Sequence, residues 1–320
     1  MRLAKTSGIA ARLLSVLITL FGISVFIFIV LRVIPGDTIT GSLGIETGVL
    51  TPEQIDDLKR YYGIDKPLIL QYFSWITSFL SGDLGFAYST GVSVLTLTAS
   101  SLPVTIELAL FGTISGVIMG IAIGMFSAKK PGSARDFFGQ LFGLLALAIP
   151  GFVLSTAIVT IMANKFGYFP NGYEYMTPWE DLWMNLQQML FPSIVLGIAV
   201  AAPVMRTTRS ALLETVDKDF IRTAFGKGLK SRTVQFRHVL RNSLIPIVTM
   251  TGIQFGYLLG GAVIVEKIFA LPGMGRQILD AINKREYATV QSSVMIFAIL
   301  FVTINLVTDI IYRRIDPRIK

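Results

Sequence analysis

The 320-residue chain has no cysteine and a single histidine, His238. The first absence excludes disulfides, thiolate metal ligands and cysteine nucleophiles; the second leaves no imidazole cluster for zinc. Charge is scarce too. Asp, Glu, Lys and Arg make up 15% of the residues, against about 25% in soluble domains. That is too few to cover a water-facing surface. What is there instead is apolar: 52% hydrophobic residues and a mean hydropathy of +0.65. These residues gather in runs close to the roughly 20 that cross a bilayer. The composition is that of an integral membrane protein.

Six runs read as spans of an all-α membrane fold, at about 9–31, 102–128, 137–163, 190–207, 244–266 and 290–312. The first follows Arg2, Lys5 and Arg12 as a signal peptide would. It outruns an h-region of about 7–15 residues, and no small-x-small site follows, so it reads as an anchor. Orientation comes from the basic residues. With the N-terminus inside, segments 1–12, 129–135, 206–241 and 313–320 hold 19 of the 28 Lys and Arg. Of the others, four lie in the long 32–100 segment, where the positive-inside rule has little force. Both termini are therefore expected in the cytoplasm. The tryptophans Trp75, Trp179 and Trp183 fall in outside segments, where interfacial aromatics belong.

The chain divides on this reading into a tail and first span (1–31), an extracytoplasmic helical segment (32–101) and a five-span core (102–320) with a loop at about 206–243. In the extracytoplasmic segment, Thr51-Pro52-Glu53-Gln54 is a capping box, and Gly63 would end the helix it opens. A second helix is expected from about Pro67 to Ser81, stopping at Gly82. Its aromatics Tyr72, Phe73, Trp75 and Phe79 suit either the membrane surface or packing on the outer ends of spans.

The second span places Gly112, Gly116, Gly120 and Gly124 at four-residue spacing, and the fifth repeats this with Gly252, Gly256 and Gly260. Such spacing puts the glycines on one face, where helix backbones can approach closely. The alternative is a pore wall that needs free backbone. Glu107 and Asp309 read as the charges within spans. Both lie near span ends, and Asp309 precedes Arg313 by four residues, which favours snorkelling or paired carboxylates over a proton path.

One stretch stands apart. "RTAFGKGLKSRTVQFRHVLRN", residues 222–242, carries six Lys and Arg and no acid. A phosphate loop needs Gly-Lys followed by Ser or Thr, but Gly226-Lys227 is followed by Gly228. A nucleic-acid surface would interleave stacking aromatics, and only Phe225 and Phe236 are present. Docking remains, with a solvated loop as the bland alternative. Thr215 to Phe225 is helix-compatible, with Val216, Phe220, Thr223 and Ala224 near one face. Gly226 and Gly228 would break it, and a second short helix with Val234, Phe236 and Val239 would follow. Two such helices form a knob suited to a partner's groove.

At these residues the sequence resembles the inner-membrane permease subunits of bacterial ABC importers. Their "EAA" loop has Glu-Ala-Ala, then three residues and Gly, then nine residues and Ile-x-Leu-Pro. Here Arg222-Thr223-Ala224 stands at Glu-Ala-Ala and Gly228 at the Gly; His238-Val239-Leu240-Arg241 ends the loop without the Ile and Pro. Those departures resemble the dipeptide/oligopeptide/nickel branch. So do "RVIPGDT" (32–38), "YGIDKPLILQYFSWITSFLSGDLG" (62–85), "LPVTIELA" (102–109) and "EKIFALPGMGRQILDAI" (266–282), which are similar to that branch's first permease.

The resemblance implies a multi-pass protein of the bacterial inner membrane, paired with a second, homologous permease. It implies two cytoplasmic ATPases, which would carry ATP and Mg, and an extracytoplasmic solute-binding protein. This chain itself would bind no cofactor or metal, contact lipid but no nucleic acid, and catalyse no bond chemistry. ATP-driven closure would move the knob and open the path by alternating access. Gly228 would allow the tight turn, Ala224 and Phe225 would fill the ATPase groove, and the basic residues would meet acids or lipid phosphates. Short peptides are the implied solute, with nickel complexes, glutathione or another small solute as alternatives. A secondary carrier would want more spans or internal repeats, and a membrane enzyme would need a catalytic constellation that is absent here.

Overall fold

The computed structural model describes residues 3–33, 51, 53, 65–87 and 89–315. The capping box at 51–54 and the helix stop at Gly63 lie outside the described residues, as do the side chains of Asp309 and Arg313. The described helices are α1 (Leu3–Val33), α2 (Leu68–Leu80), α3 (Val94–Ala128), α4 (Ala134–Ala148), α5 (Gly151–Phe166) and α6 (Leu182–Val216). They continue with α7 (Asp219–Gly226), α8 (Arg241–Ile268), α9 (Met274–Asn283) and α10 (Tyr287–Ile315). Four helices are long and apolar enough to cross a membrane, and up to six spans result if each of two bent helix pairs is one.

The expected third span, 137–163, is not one helix. It is α4 and α5, meeting at an angle of 94°. Pro150 is the cause: it offers no N–H to the preceding turn and forces Ile149 out of the helical region, to φ −87° and ψ 116°. The expected second and fourth spans are longer than their apolar cores, because α3 begins at Val94 and α6 runs from Leu182 to Val216. Asp181 caps α6 by accepting from the Met184 N–H at 3.0 Å.

The chain divides into two compact units, residues 1–103 with 276–302, and residues 104–275 with 303–320. In the first, Ile27, Leu31, Ala281 and Val290 form a core with Trp75 and Tyr287 against it. Helix α2 lies along α1. Tyr72 sets its ring edge-on to Phe28 at 5.3 Å and its hydroxyl 2.8 Å from Ser24 Oγ, while Trp75 stacks on Phe28 at 6.2 Å. Phe73 points away, 57% exposed. The aromatics of α2 thus divide between packing on a span and an outward face. Gly82, at φ +87°, ends the helix.

The second unit is built on α6, which packs most extensively against α8 and then α4. Val104 and Leu108 of α3, Val195, Leu196 and Val200 of α6, and Leu258 and Val265 of α8 share one buried cluster. The glycines of α3 lie along α6. A Cβ on Gly116 would sit 2.5 Å from Val200 Cβ and 2.7 Å from the Gly197 carbonyl oxygen. On Gly120 it would meet Val204 at 2.8 Å, on Gly124 Thr208 at 2.8 Å, and on Gly112 Leu196 at 3.0 Å. A ridge of side chains four residues apart on α6 lies in a groove of glycines four apart on α3. In α8, Gly252 and Gly256 are buried, whereas Gly260 is exposed with nothing near its Cβ position.

Candidate functional site

The basic segment is anchored from within. Helix α6 ends at Val216, Lys218 turns to extended backbone (φ −76°, ψ 145°), and α7 starts at Asp219 with an acid in its first turn. Ile221 and Ala224 of α7 are 1% and 6% exposed and pack with Leu212, Val234 and Val239. Met125 and Ala128, at the end of α3, close the cluster. Full burial of one such aliphatic side chain contributes about 1.5–3 kcal/mol, so α7 is fixed to the helix ends beneath it.

Gly228 terminates α7. At φ +78° it donates to the Phe225 carbonyl at 2.9 Å, and Leu229 N–H reaches back to the Ala224 carbonyl at 3.3 Å. This pair of bonds around a left-handed residue is the Schellman ending of a helix. Gly226, expected as a breaker, is instead the last residue of α7. The second short helix of the expected knob is likewise no separate element. Ser231–Thr233 and a π-helical turn, Val234–Leu240, lead without a break into α8. The turn is tied to α6 through Ser243, whose hydroxyl lies 3.0 Å from Thr215 Oγ1 and 3.0 Å from the Ala211 and Val239 carbonyls.

The faces also differ from expectation. Val216 and Phe220 are 45% and 43% exposed, because the 3.6-residue turn puts Ile221 and Ala224 inward instead. Ala224 is buried in the chain's own cluster and so cannot fill a partner's groove. Phe220, Phe225, Leu229 and Phe236 stand outward, 38–52% exposed, among Arg222, Lys227, Lys230 and Arg232. Arg222 is 3.7 Å from Asp219 with both side chains in solvent, and Thr223 donates to the Asp219 carbonyl. His238 and Leu240 are half-buried; Arg241 is exposed. The segment thus has a rigid inner face and an outer face that is apolar and cationic.

Three polar clusters are built into the second unit, and of these only the one around Glu107 carries weight in the sequence. Asp136 is 2% exposed and takes both donors of Arg209 at 2.7 Å, Ser127 Oγ at 2.5 Å and the Gly132 N–H at 3.0 Å. Glu266 is completely buried, accepts from Thr105 at 2.7 Å, and has Gly273 and Gly275 against its carboxylate, where any Cβ would collide. Thr105 Oγ1 accepts in turn from the Met274 N–H at 2.9 Å. Glu107 accepts from the Tyr175 hydroxyl at 2.6 Å, and burial together with that carboxylate raises the Tyr175 pKa well above the usual phenol range. Glu107 is therefore hydrogen-bonded through one oxygen, its Oε1 being buried with no partner among the described residues, and Glu266 must join it among the charges of the apolar runs. Among the described residues no group of acids and histidines could hold a metal ion.

Residues 120–320 match the family model described as the inner membrane component of binding-protein-dependent transport systems, and residues 7–109 match the N-terminal model of the same systems' membrane component. The chain belongs to this family. It is a multi-pass inner-membrane protein and a permease of the peptide/nickel branch of ABC importers. The dipeptide transport system permease protein DppB of Alkalihalophilus pseudofirmus is 34% identical over 97% of this chain and 98% of its own length. The glutathione transport system permease protein GsiC of Pectobacterium atrosepticum is 35% identical over 97% of both chains. Two solved structures share the fold. An amino acid ABC transporter with histidines aligns with a TM-score of 0.50 at 18% identity, over 68% of this chain and 94% of its own. An inward-facing MetNI methionine ABC transporter aligns at 0.54 and 16%, over 68% and 96%.

Proposed function

We propose that this permease forms, with a second homologous permease, the path by which an ATP-driven importer takes up short peptides. The path opens by alternating access. The chain crosses the membrane six times, with α4–α5 and the bent α8 each counted as one span, and both termini face the cytoplasm. Residues 32–101 lie outside, near an extracytoplasmic solute-binding protein. Two ATPase subunits bind the cytoplasmic face and hydrolyse ATP there, so this chain is not itself an enzyme.

The observation that carries the mechanical part is the two-sided segment after α6. ATPase closure can be transmitted only through an element that grips a partner and is rigid toward the spans. Phe225, exposed at the end of α7, supplies the grip; the Ile221–Ala224 cluster and the continuous passage into α8 supply the rigidity. Gly228 permits the turn between them. The glycine face of α3 serves close packing on α6 rather than a pore wall. Support for peptide as solute is the end-to-end likeness to a dipeptide permease. The glutathione permeases support glutathione, itself a small peptide, as the second reading.

The test is co-expression with the partner subunits, reconstitution in liposomes and ATP-dependent uptake of labelled Ala-Ala, with glutathione and a nickel chelate as competitors. Uptake inhibited by unlabelled dipeptides is expected. Uptake that persists without the ATPases would refute the importer reading; uptake of the nickel complex but no dipeptide would refute the solute.

A further inference from the structure

A cavity of about 550 Å³ opens between α4 and α6 in the second unit, within the roughly 300–1,000 Å³ of small-molecule sites. Phe137, Leu141, Leu144 and Met205 make its apolar wall, and Arg206 and Arg209 its polar end. The two arginines are not equivalent. Arg209 is neutralised by the buried Asp136. Arg206, one turn earlier, is exposed and has no hydrogen bond or ion pair among the described residues. Gly143 faces this end of the cavity: its Cβ position is taken up by the Met205 methyl and lies 3.8 Å from Arg206 Nε, so the apolar wall comes directly up to the guanidinium. The cavity therefore holds one uncompensated positive charge next to an apolar wall.

That chemistry fits a singly charged oxyanion attached to an apolar group. A peptide's terminal carboxylate and a lipid phosphate both qualify. Position favours the solute. Of the four helices long enough to cross alone, α6 is the most enclosed by protein, 67% of its apolar stretch being buried against 17–39% for the others. Arg206 directly follows the apolar run 189–205 of α6, at the cytoplasmic end in the orientation proposed above.

We propose that this cavity is a carboxylate subsite near the cytoplasmic end of the translocation path, with Arg206 as the residue that takes the carboxylate of the passing peptide. The inference rests on the reading of the chain as a peptide permease. Asp136 has a defined part in it: by fixing Arg209 it keeps the site at one net charge, so a carboxylate is attracted without being held too tightly to leave. The apolar wall accommodates side chains of differing size.

The cysteine-free sequence makes the site testable in the assembled transporter. Ser210→Cys places one thiol of this chain at the cavity. Its reaction with a sulfonate and with a trimethylammonium methanethiosulfonate is followed on this chain by mass. The anionic reagent should be favoured over the cationic one by at least about sevenfold, because one positive charge roughly 7 Å away in water attracts the first by about 0.6 kcal/mol and repels the second by as much. Arg206→Gln should abolish that preference and Arg206→Lys keep it. Ala-Ala should slow the reaction, and Ala-Ala amide should not, in liposomes of pure phosphatidylcholine as well as with added phosphatidylglycerol. Protection that follows phosphatidylglycerol and ignores Ala-Ala would assign the site to lipid and overturn the proposal. So would a charge preference that survives Arg206→Gln. Ala-Ala uptake is measured on the same vesicles. Uptake without protection overturns the subsite alone, whereas protection without uptake overturns the import reading alone.

Discussion

Placing a single methyl group at Gly116 tests the packing of the second unit. The Gly116→Ala Cβ would sit 2.5 Å from Val200 Cβ and 2.7 Å from the Gly197 carbonyl oxygen. Apolar carbons settle at about 3.5–4.0 Å, so α3 and α6 must part by roughly 1 Å. The Val200 side chain cannot yield alone, because the second obstacle is backbone. Separation is felt along the whole ladder, since Gly112, Gly120 and Gly124 make the same kind of approach. Overpacking of this sort costs about 1–3 kcal/mol, and Gly116→Leu should cost more. Gly22→Ala is the control: it lies in α1 with nothing within 4 Å of its Cβ position. Helix propensity then favours alanine by up to about 1 kcal/mol. The assay is the temperature at which detergent-solubilised protein loses its monodisperse peak. A fall of about 2–8 °C is expected for Gly116→Ala, by analogy with soluble domains, and no fall for Gly22→Ala. Equal behaviour of the two variants would refute the close-packing account of the glycine face.

In the segment after α6, Gly228→Val should strain the φ +78° position, which β-branched residues rarely adopt. With Phe225→Asp, it should abolish ATPase co-purification and uptake while insertion is unchanged. Neutralising Lys230 or Arg232 should cost little, exposed pairs being worth about 0–1 kcal/mol, and the reverse pattern in a pull-down would mark an electrostatic tether. Arg209→Ala should destabilise by up to about 3–5 kcal/mol, because it strands the buried Asp136 carboxylate. Asp136→Ala should cost less, since Arg209 keeps 24% of its side chain in solvent; equal melting shifts would contradict this asymmetry. Gly273→Ala should act like Glu266→Ala, as both break the fit of the carboxylate to the 271–275 loop, and a wild-type melting curve for Gly273→Ala would show that the loop yields. Single cysteines at Lys227 and Trp179 should be reached by an impermeant reagent from opposite sides of the membrane, and same-side labelling would overturn the topology.

Membrane character was legible because hydropathy accumulates over about 20 residues and tolerates local error. Helix geometry was less so. Pro150 broke the third apolar run, whereas Pro103, Pro192 and Pro203 sit inside continuous helices. One residue type thus gave opposite outcomes. What differs is the neighbourhood: Gly151 follows Pro150 directly and α5 begins there, while Pro192 and Pro203 belong to a helix enclosed along its length. Enclosure is a tertiary property, invisible to periodicity. The ending of α7 divides in the same way. A glycine stop was readable near 226–228, yet only the positive φ of Gly228 identifies which glycine ends the helix.

The polar clusters were hidden for a further reason, which bears on how the chain is built. Asp136 is a lone acid after Lys129, Lys130 and Arg135, and Glu266 sits beside Lys267 at the end of an apolar run. In sequence each looks like an interfacial charge with a neighbour of opposite sign. Folding gives them other partners: Asp136 finds Arg209, 73 positions on, and Glu266 finds Thr105, 161 positions back. The available signal was composition. With charged residues at 15% of the chain, an acid next to an apolar run is rare enough to require a stated partner. The glycines of "ALPGMG" pointed the same way, because small residues near a buried carboxylate make room for it. Both clusters tie the ends of long helices together, α4 to α6 and α8 to α3. An alternating-access movement must therefore either carry these pairs as rigid bodies or break them. Breaking leaves a carboxylate unpaired at a cost of several kcal/mol. The geometry favours rigid-body motion of each tied pair, α4 with α6 and α3 with α8, with bending left to joints such as Ile149–Pro150 between α4 and α5.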